Sequence, residues 1–169
     1  MPARSAARPT YPDEPRRWSW RLGGRPAILA EQQAARSDKQ MKPGGRHLYL
    51  LVVDDEPPIR MLARLALSAS GHQVEEAPDG ASALRMVEDR PFDAVIMDIH
   101  MPVMDGLEAA RRIRALPGPG RHVPILGVSA MAPEEECLAA GMSAFMRKPT
   151  HARDLLRAVE RLTDSEASV

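Results

Sequence analysis

Two apolar runs in this chain each end on acid. Leu48-Tyr49-Leu50-Leu51-Val52-Val53 leads into Asp54-Asp55-Glu56, and Ala94-Val95-Ile96-Met97 leads into Asp98. Runs of this length without polar alternation suit strands of a parallel sheet covered on both faces. In an open parallel α/β sheet the carboxyl ends of neighbouring strands converge on one crevice. Asp54, Asp55 and Asp98 are therefore expected to meet. Two unit charges about 4 Å apart repel by about 4 kcal/mol at an effective dielectric of about 20. A hard divalent cation with oxygen ligands relieves such repulsion, and Mg²⁺ suits the chemistry best.

The pattern around these runs alternates strand and helix. Strands are predicted at Leu48–Val53, Gln73–Ala77, Ala94–Asp98, Pro124–Val128 and Ala144–Met146. The first helix is expected from Pro58 to Ser70, with Ile59, Leu62, Ala63, Leu65, Ala66 and Ala69 inward and Gly71 as its stop. Asp79 is placed to cap a second helix running to Asp89, with Ala83, Leu84 and Val87 inward. Asp105-Gly106 opens a third helix, which Pro117-Gly118-Pro119-Gly120 ends. Glu134-Glu135-Glu136 suits the positive end of a fourth helix, closed by Gly141. Thr150 is placed to cap the last helix, with Leu155, Leu156, Val159 and Leu162 on one stripe. Right-handed crossovers and two faces to cover select a three-layer α/β sandwich. Five strands suit the doubly wound, flavodoxin-like order 2-1-3-4-5.

A net charge of zero hides an asymmetry. Residues 1–46 carry 10 Lys/Arg against 4 Asp/Glu, and the rest carry 13 against 19. The basic, Pro/Arg-rich segment 1–46 lacks sustained periodicity and is expected to be disordered, save for a short helix around Ala27–Arg36. Met41 is a candidate translation start. The acidic remainder does not recommend nucleic acid as a partner. Cys137 is alone, which excludes an intramolecular disulfide and suits a reducing cytoplasm. The histidines at 47, 72, 100, 122 and 151 lack zinc-ligand spacing. No apolar stretch approaches the roughly 20 residues of a membrane span. Arg16-Arg17 is followed by a segment too polar for a targeting core.

Four pieces at the expected strand ends carry a resemblance. They are Val52-Val53-Asp54-Asp55-Glu56-Pro57, Met97-Asp98-Ile99-His100-Met101-Pro102-Val103-Met104-Asp105-Gly106, Val128-Ser129-Ala130 and Phe145-Met146-Arg147-Lys148-Pro149. In this order and on these elements, residues 47–165 resemble the receiver domain of two-component response regulators, with a short tail at 166–169. The resemblance implies a signalling module that takes a phosphoryl group from a histidine kinase or a histidine phosphotransfer protein. Asp98 would be the phosphoacceptor. Mg²⁺ would bind Asp55, Asp98 and the backbone carbonyl of His100, with Asp54 acting through water. Lys148 would pair with the phosphoryl group, its bond to Pro149 being cis. Ser129 would donate its hydroxyl to a phosphoryl oxygen, and Phe145 matches the family's switch aromatic.

Such a domain promotes its own phosphorylation and dephosphorylation and is not an enzyme toward other substrates. Few residues follow the last helix, so a receiver without an output or DNA-binding domain is expected. The segment Cys137-Leu138-Ala139-Ala140-Gly141-Met142 resembles receivers attached to hybrid sensor kinases, which favours a phosphorelay. Two positions depart from the common pattern. Ser129 stands where threonine is commoner, and the hydroxyl survives. Met131 cannot orient a hydrolytic water, which disfavours fast self-dephosphorylation. Two alternatives belong to other classes. One is a degenerate receiver that serves as a binding platform without phosphorylation. The other is a Mg²⁺-dependent phosphatase of the haloacid dehalogenase type, which would need a second acid where His100 stands and a cap for which the chain has no room.

Overall fold

A computed structural model of the chain describes residues 46–166. The readings made for residues 1–46 fall outside the described residues except at Arg46, as do those for the tail beyond 166. Five strands, β1 (Tyr49–Val53), β2 (Gln73–Ala77), β3 (Ala94–Asp98), β4 (Ile125–Ser129) and β5 (Ala144–Arg147), form one sheet. All pairings are parallel and the order is β2-β1-β3-β4-β5. The helices are α1 (Pro57–Ala69), α2 (Gly80–Asp89), α3 (Gly106–Arg114), α4 (Glu134–Ala139) and α5 (Ala152–Glu166), with a 3₁₀ turn at Pro119–His122.

Alternate residues of each central strand face opposite layers, as a period of two requires. Leu51, Val53, Val95, Met97 and Ile125 join Ala83 and Val87 of α2, Ala109, Ala110 and Ile113 of α3, and Cys137 of α4 in one core. Leu50, Val52, Ile96, Leu126 and Val128 join Leu67 of α1 and Leu155, Val159 and Leu162 of α5 in the other. This is the expected flavodoxin-like three-layer sandwich. The buried runs read as continuous apolar sequence because both strand faces are covered.

Local signals set four of the helix ends. The Asp79 carboxylate accepts the Ser82 amide at 2.7 Å, and Asp105 accepts that of Glu108 at 2.7 Å, each satisfying an orphan donor of a first turn. Gly71 and Gly141 both take φ +91, the left-handed conformation that stops a helix. Beyond α3, Arg114 fastens neighbouring segments by donating to the carbonyls of Gly141 (2.7 Å), Arg121 (2.8 Å) and Val123 (2.9 Å). The last helix starts at Ala152, not at a Thr150 cap. The His151 carbonyl accepts the amides of Asp154 and Leu155.

The inward face expected for α1 is corrected. Ile59, Leu62 and Leu65, together with Met61, are exposed, and the residue driven fully into the core is Leu67. Arg60 takes the inward edge beside Ala63 while the Arg64 side chain stays more exposed, and both guanidinium groups pair with Glu76 on β2. An arginine stem covers apolar surface as well as a short aliphatic chain does while its head finds a carboxylate. The ion pairs to β2 therefore rotate the helix, leaving an apolar stripe facing out.

His72, at the amino end of β2, predicts a pH effect on stability. Its Nδ1 accepts the Leu48 amide at 3.4 Å, and its buried Nε2 has no partner among the described residues. Burial pushes the imidazole below its ordinary value of 6.5, and nearby His47 acts in the same direction while Glu160 and Asp93 oppose it. The unfolded chain thus takes up a proton before the folded one does. Stability from this site is present above about pH 6.5 and is lost as pH falls below it, by up to about 1.4 kcal/mol per pH unit. His72→Asn, which keeps an acceptor without titrating, is expected to flatten the fall in urea midpoint between pH 6.5 and 5.5. Identical slopes for the two proteins would exclude His72 as the source.

Val103 predicts a gain. It is 93% exposed and takes φ 70, a conformation that β-branched residues avoid. Val103→Asn is expected to raise stability by about 1 kcal/mol, or roughly 4 °C in melting temperature. An unchanged or lower melting temperature would mean that the loop is not strained there.

Candidate functional site

Parallel register carries the carboxyl ends of four strands to one edge. Val53 of β1 pairs with Met97 of β3, Asp98 with Val128 of β4, and Ser129 with Arg147 of β5. The next residue along β1 is Asp54 and the next along β5 is Lys148, so acid, hydroxyl and amine arrive together. Oxygens of Asp54, Asp55 and Asp98 lie within 4.8 Å of one another. Asp54 and Asp98 are only 5% and 6% exposed, and Asp55 is the most accessible of the three.

Lys148 bridges the buried pair. Its Nζ donates to Asp54 Oδ2 at 3.0 Å and lies 3.1 Å from Asp98 Oδ1. The Lys148–Pro149 peptide is cis, as the resemblance implied. Asp54 Oδ1 accepts the Glu56 amide at 2.9 Å, and Asp98 Oδ1 accepts that of Ile99 at 2.9 Å. These bonds occupy both Asp54 oxygens but only one on Asp98. Burial pushes the Asp98 carboxyl above its ordinary value, and Asp54 adds to that, although Lys148 and the Ile99 amide oppose it. Burial also works against the charge on Lys148, yet the two carboxylates outweigh it and hold the ammonium above its ordinary value. One ammonium faces three carboxylates, so the cluster is short of two positive charges. A hard divalent cation would supply them, and the all-oxygen donor set fits Mg²⁺.

Ser129 is fully buried at the end of β4. Its Oγ accepts the amides of Met131 (3.1 Å) and Ala132 (3.0 Å) and lies 3.2 Å from His100 Nδ1. Phe145 lies half-buried on β5, paired with Gly127 and packed against the α2–α4 side of the core. The Arg147 guanidinium stands 5.6 Å from its ring centroid. Met131 is 82% exposed beside the crevice. Asp98, Asp54, Asp55 and Lys148 are brought together, with Ser129 on the adjoining strand end. Phe145 lies away from the carboxylates on the outer strand.

Two contributors escaped the sequence reading. Arg60 lines the crevice below the acids and donates through Nη1 to the Asp54 carbonyl at 2.5 Å, while its Nε reaches Glu76 at 3.2 Å. The imidazole of His100 touches Ser129, whereas only the carbonyl of His100 had been assigned a part. Neither contact leaves a trace in local sequence, because each joins separate elements.

Comparison with known proteins agrees with this geometry. Residues 50–160 match the response regulator receiver domain. The gliding motility regulatory protein of Myxococcus xanthus is 34% identical over 142 residues, covering 82% of this chain and 18% of that protein. Response regulator MprA of Mycobacterium tuberculosis is 41% identical over 124 residues, covering 69% of this chain and 52% of MprA. The chain thus spans only part of the length of these relatives. The receiver domain of sensor histidine kinase PA1611 from Pseudomonas aeruginosa, solved with magnesium in its active site cleft, superposes with a TM-score of 0.65. It shares 35% identity, covering 70% of this chain and 99% of that one. With the matched region spanning most of the chain and the sheet order and acidic edge in agreement, this protein belongs to the response regulator receiver domain family of two-component signalling.

Proposed function

We propose that residues 47–165 form a receiver that accepts a phosphoryl group on Asp98 from a phosphohistidine donor. The donor would be a histidine kinase or a histidine phosphotransfer protein. The observation that carries this reading is the cluster of three carboxylates, two of them bridged by Lys148, with one Asp98 oxygen left unbonded among the described residues. In the transfer, that oxygen attacks phosphorus, the phosphorus–nitrogen bond of the donor breaks, and the donor imidazole leaves with the electron pair. Lys148, already against Asp98, would follow the incoming phosphoryl oxygens as a point charge. Ser129 would donate its hydroxyl to one of those oxygens, and Phe145 would turn inward as the β4 loop moves.

Mg²⁺ would be held by Asp55, Asp98 and the His100 carbonyl, with Asp54 contributing through water. The magnesium-bearing cleft of the Pseudomonas receiver supports the same choice. When bound, the ion neutralises phosphoryl and carboxylate charge and aligns the reacting oxygens. Arg60 braces Asp54 from behind through its backbone carbonyl. Ile59 lines this crevice, and the exposed apolar residues Met61, Leu62 and Leu65 of the same helix would extend a surface suited to docking of a helical donor. No helix among the described residues is long and apolar enough to cross a membrane.

Incubation with acetyl phosphate and Mg²⁺ tests the reading. One acid-stable, alkali- and hydroxylamine-labile phosphate per chain is expected, with labelling lost on chelation and strongly slowed in Asp55→Ala. Equal labelling rates in chelator and in Mg²⁺ would remove the metal from the account.

A further inference from the structure

We propose that the His100 imidazole is a positioning residue for the Ser129 hydroxyl, holding its proton away from Asp98 in the resting protein. This inference rests on the receiver reading above and adds to it a residue that sets how readily the domain changes state. A serine hydroxyl has one proton and two lone pairs. In Ser129 the amides of Met131 and Ala132, at 3.1 and 3.0 Å, can only donate, and they fill both lone pairs. Among the described residues the proton has one place left to go, His100 Nδ1 at 3.2 Å. Nδ1 is therefore the acceptor, and the proton of the neutral ring sits on Nε2.

The resting hydroxyl is thus saturated, although Ser129 is wholly buried. A phosphoryl oxygen on Asp98 can receive that proton only by taking it from the imidazole. His100 stands two residues beyond Asp98, so the competing site ends β3 and the acceptor lies in the loop that follows it. The ring itself is exposed, and removing it takes little from the core. What its removal does is strand a buried donor in the resting arrangement alone. Losing one neutral hydrogen bond of ordinary net strength favours the phosphorylated arrangement about fivefold.

The experiment titrates the full chain, in Mg²⁺, with beryllofluoride, following the amide resonances of Ala132 and Phe145. His100→Leu keeps the backbone carbonyl and loses the acceptor, and its half-saturating beryllofluoride concentration is expected to fall about fivefold. His100→Asn, which presents an acceptor oxygen near the place of Nδ1, is expected to restore the wild-type value. In a Ser129→Ala background, His100→Leu is expected to have no further effect. Two-bond proton–nitrogen spectra are expected to show the wild-type ring as the Nε2–H tautomer, altered by Ser129→Ala. The proposal is overturned by unchanged affinity in His100→Leu, by His100→Asn behaving like His100→Leu, by an effect that persists without the Ser129 hydroxyl, or by a proton on Nδ1 of the neutral ring. A wild-type protein that gives no response to beryllofluoride in Mg²⁺ would instead sink the receiver reading, and this proposal with it.

Discussion

Asp98→Ala is expected to reduce acetyl phosphate labelling to background while leaving the protein folded. Asp98 Oδ2 has no hydrogen-bond partner among the described residues, whereas both oxygens of Asp54 are engaged. Asp55 is also close by, so labelling that persists undiminished in Asp98→Ala would move the acceptor to another carboxylate. The loss should not come from unfolding. Burial raises the Asp98 carboxyl above its ordinary value, so its ionised form is disfavoured in the folded state. A carboxyl raised in this way makes metal-free protein gain stability as pH falls through its folded value toward the unfolded one. At neutral pH its removal should therefore cost little, and Lys148 keeps Asp54 as a partner. The urea midpoint of Asp98→Ala in metal-free buffer is expected to equal or exceed that of the wild type. A clearly lower midpoint would show that the carboxylate is structurally required.

Gly106→Ala is expected to destabilise the fold by about 3 kcal/mol, at the upper end of what overpacking usually costs. A Cβ at this position would overlap the backbone carbonyl oxygen of Asp98 and lie 2.9 Å from Ile99 Cα. These are backbone atoms, so no side chain can swing aside to make room. The Gly106 amide also donates to the Ile99 carbonyl at 2.9 Å, tying the start of α3 to the end of β3. Relief of the overlap must lift the helix from the strand that carries Asp98. The variant is expected to label slowly as well as unfold early in urea. A midpoint shift worth less than about 1 kcal/mol would mean that the two backbones separate easily.

The sheet was legible in the sequence because the order of its parts follows from local and topological rules. Unbroken apolar runs mark doubly covered strands, and Asp79, Asp105, Gly71 and Gly141 mark helix ends. The acid that ends β3 and the acids just beyond β1 have only one edge of a parallel sheet to occupy. The convergence of Asp54, Asp55 and Asp98 was readable for that reason, before any contact was known.

The orientation of α1 was not readable. Its apolar residues lie around most of the helix, so periodicity alone allowed more than one inward face. The choice fell to Arg60 and Arg64 pairing with Glu76, partners that only the packing of α1 on β2 brings near. The bond between Ser129 and His100 spans 29 residues and two strand ends, and the Lys148–Asp54 bridge spans 94. By itself the sequence determined which strands form and which end of the sheet is acidic, through burial pattern and chain direction. Only the tertiary structure decided which polar atoms meet, because hydrogen bonds form within about 3 Å and nothing local sets distances between separate elements so finely.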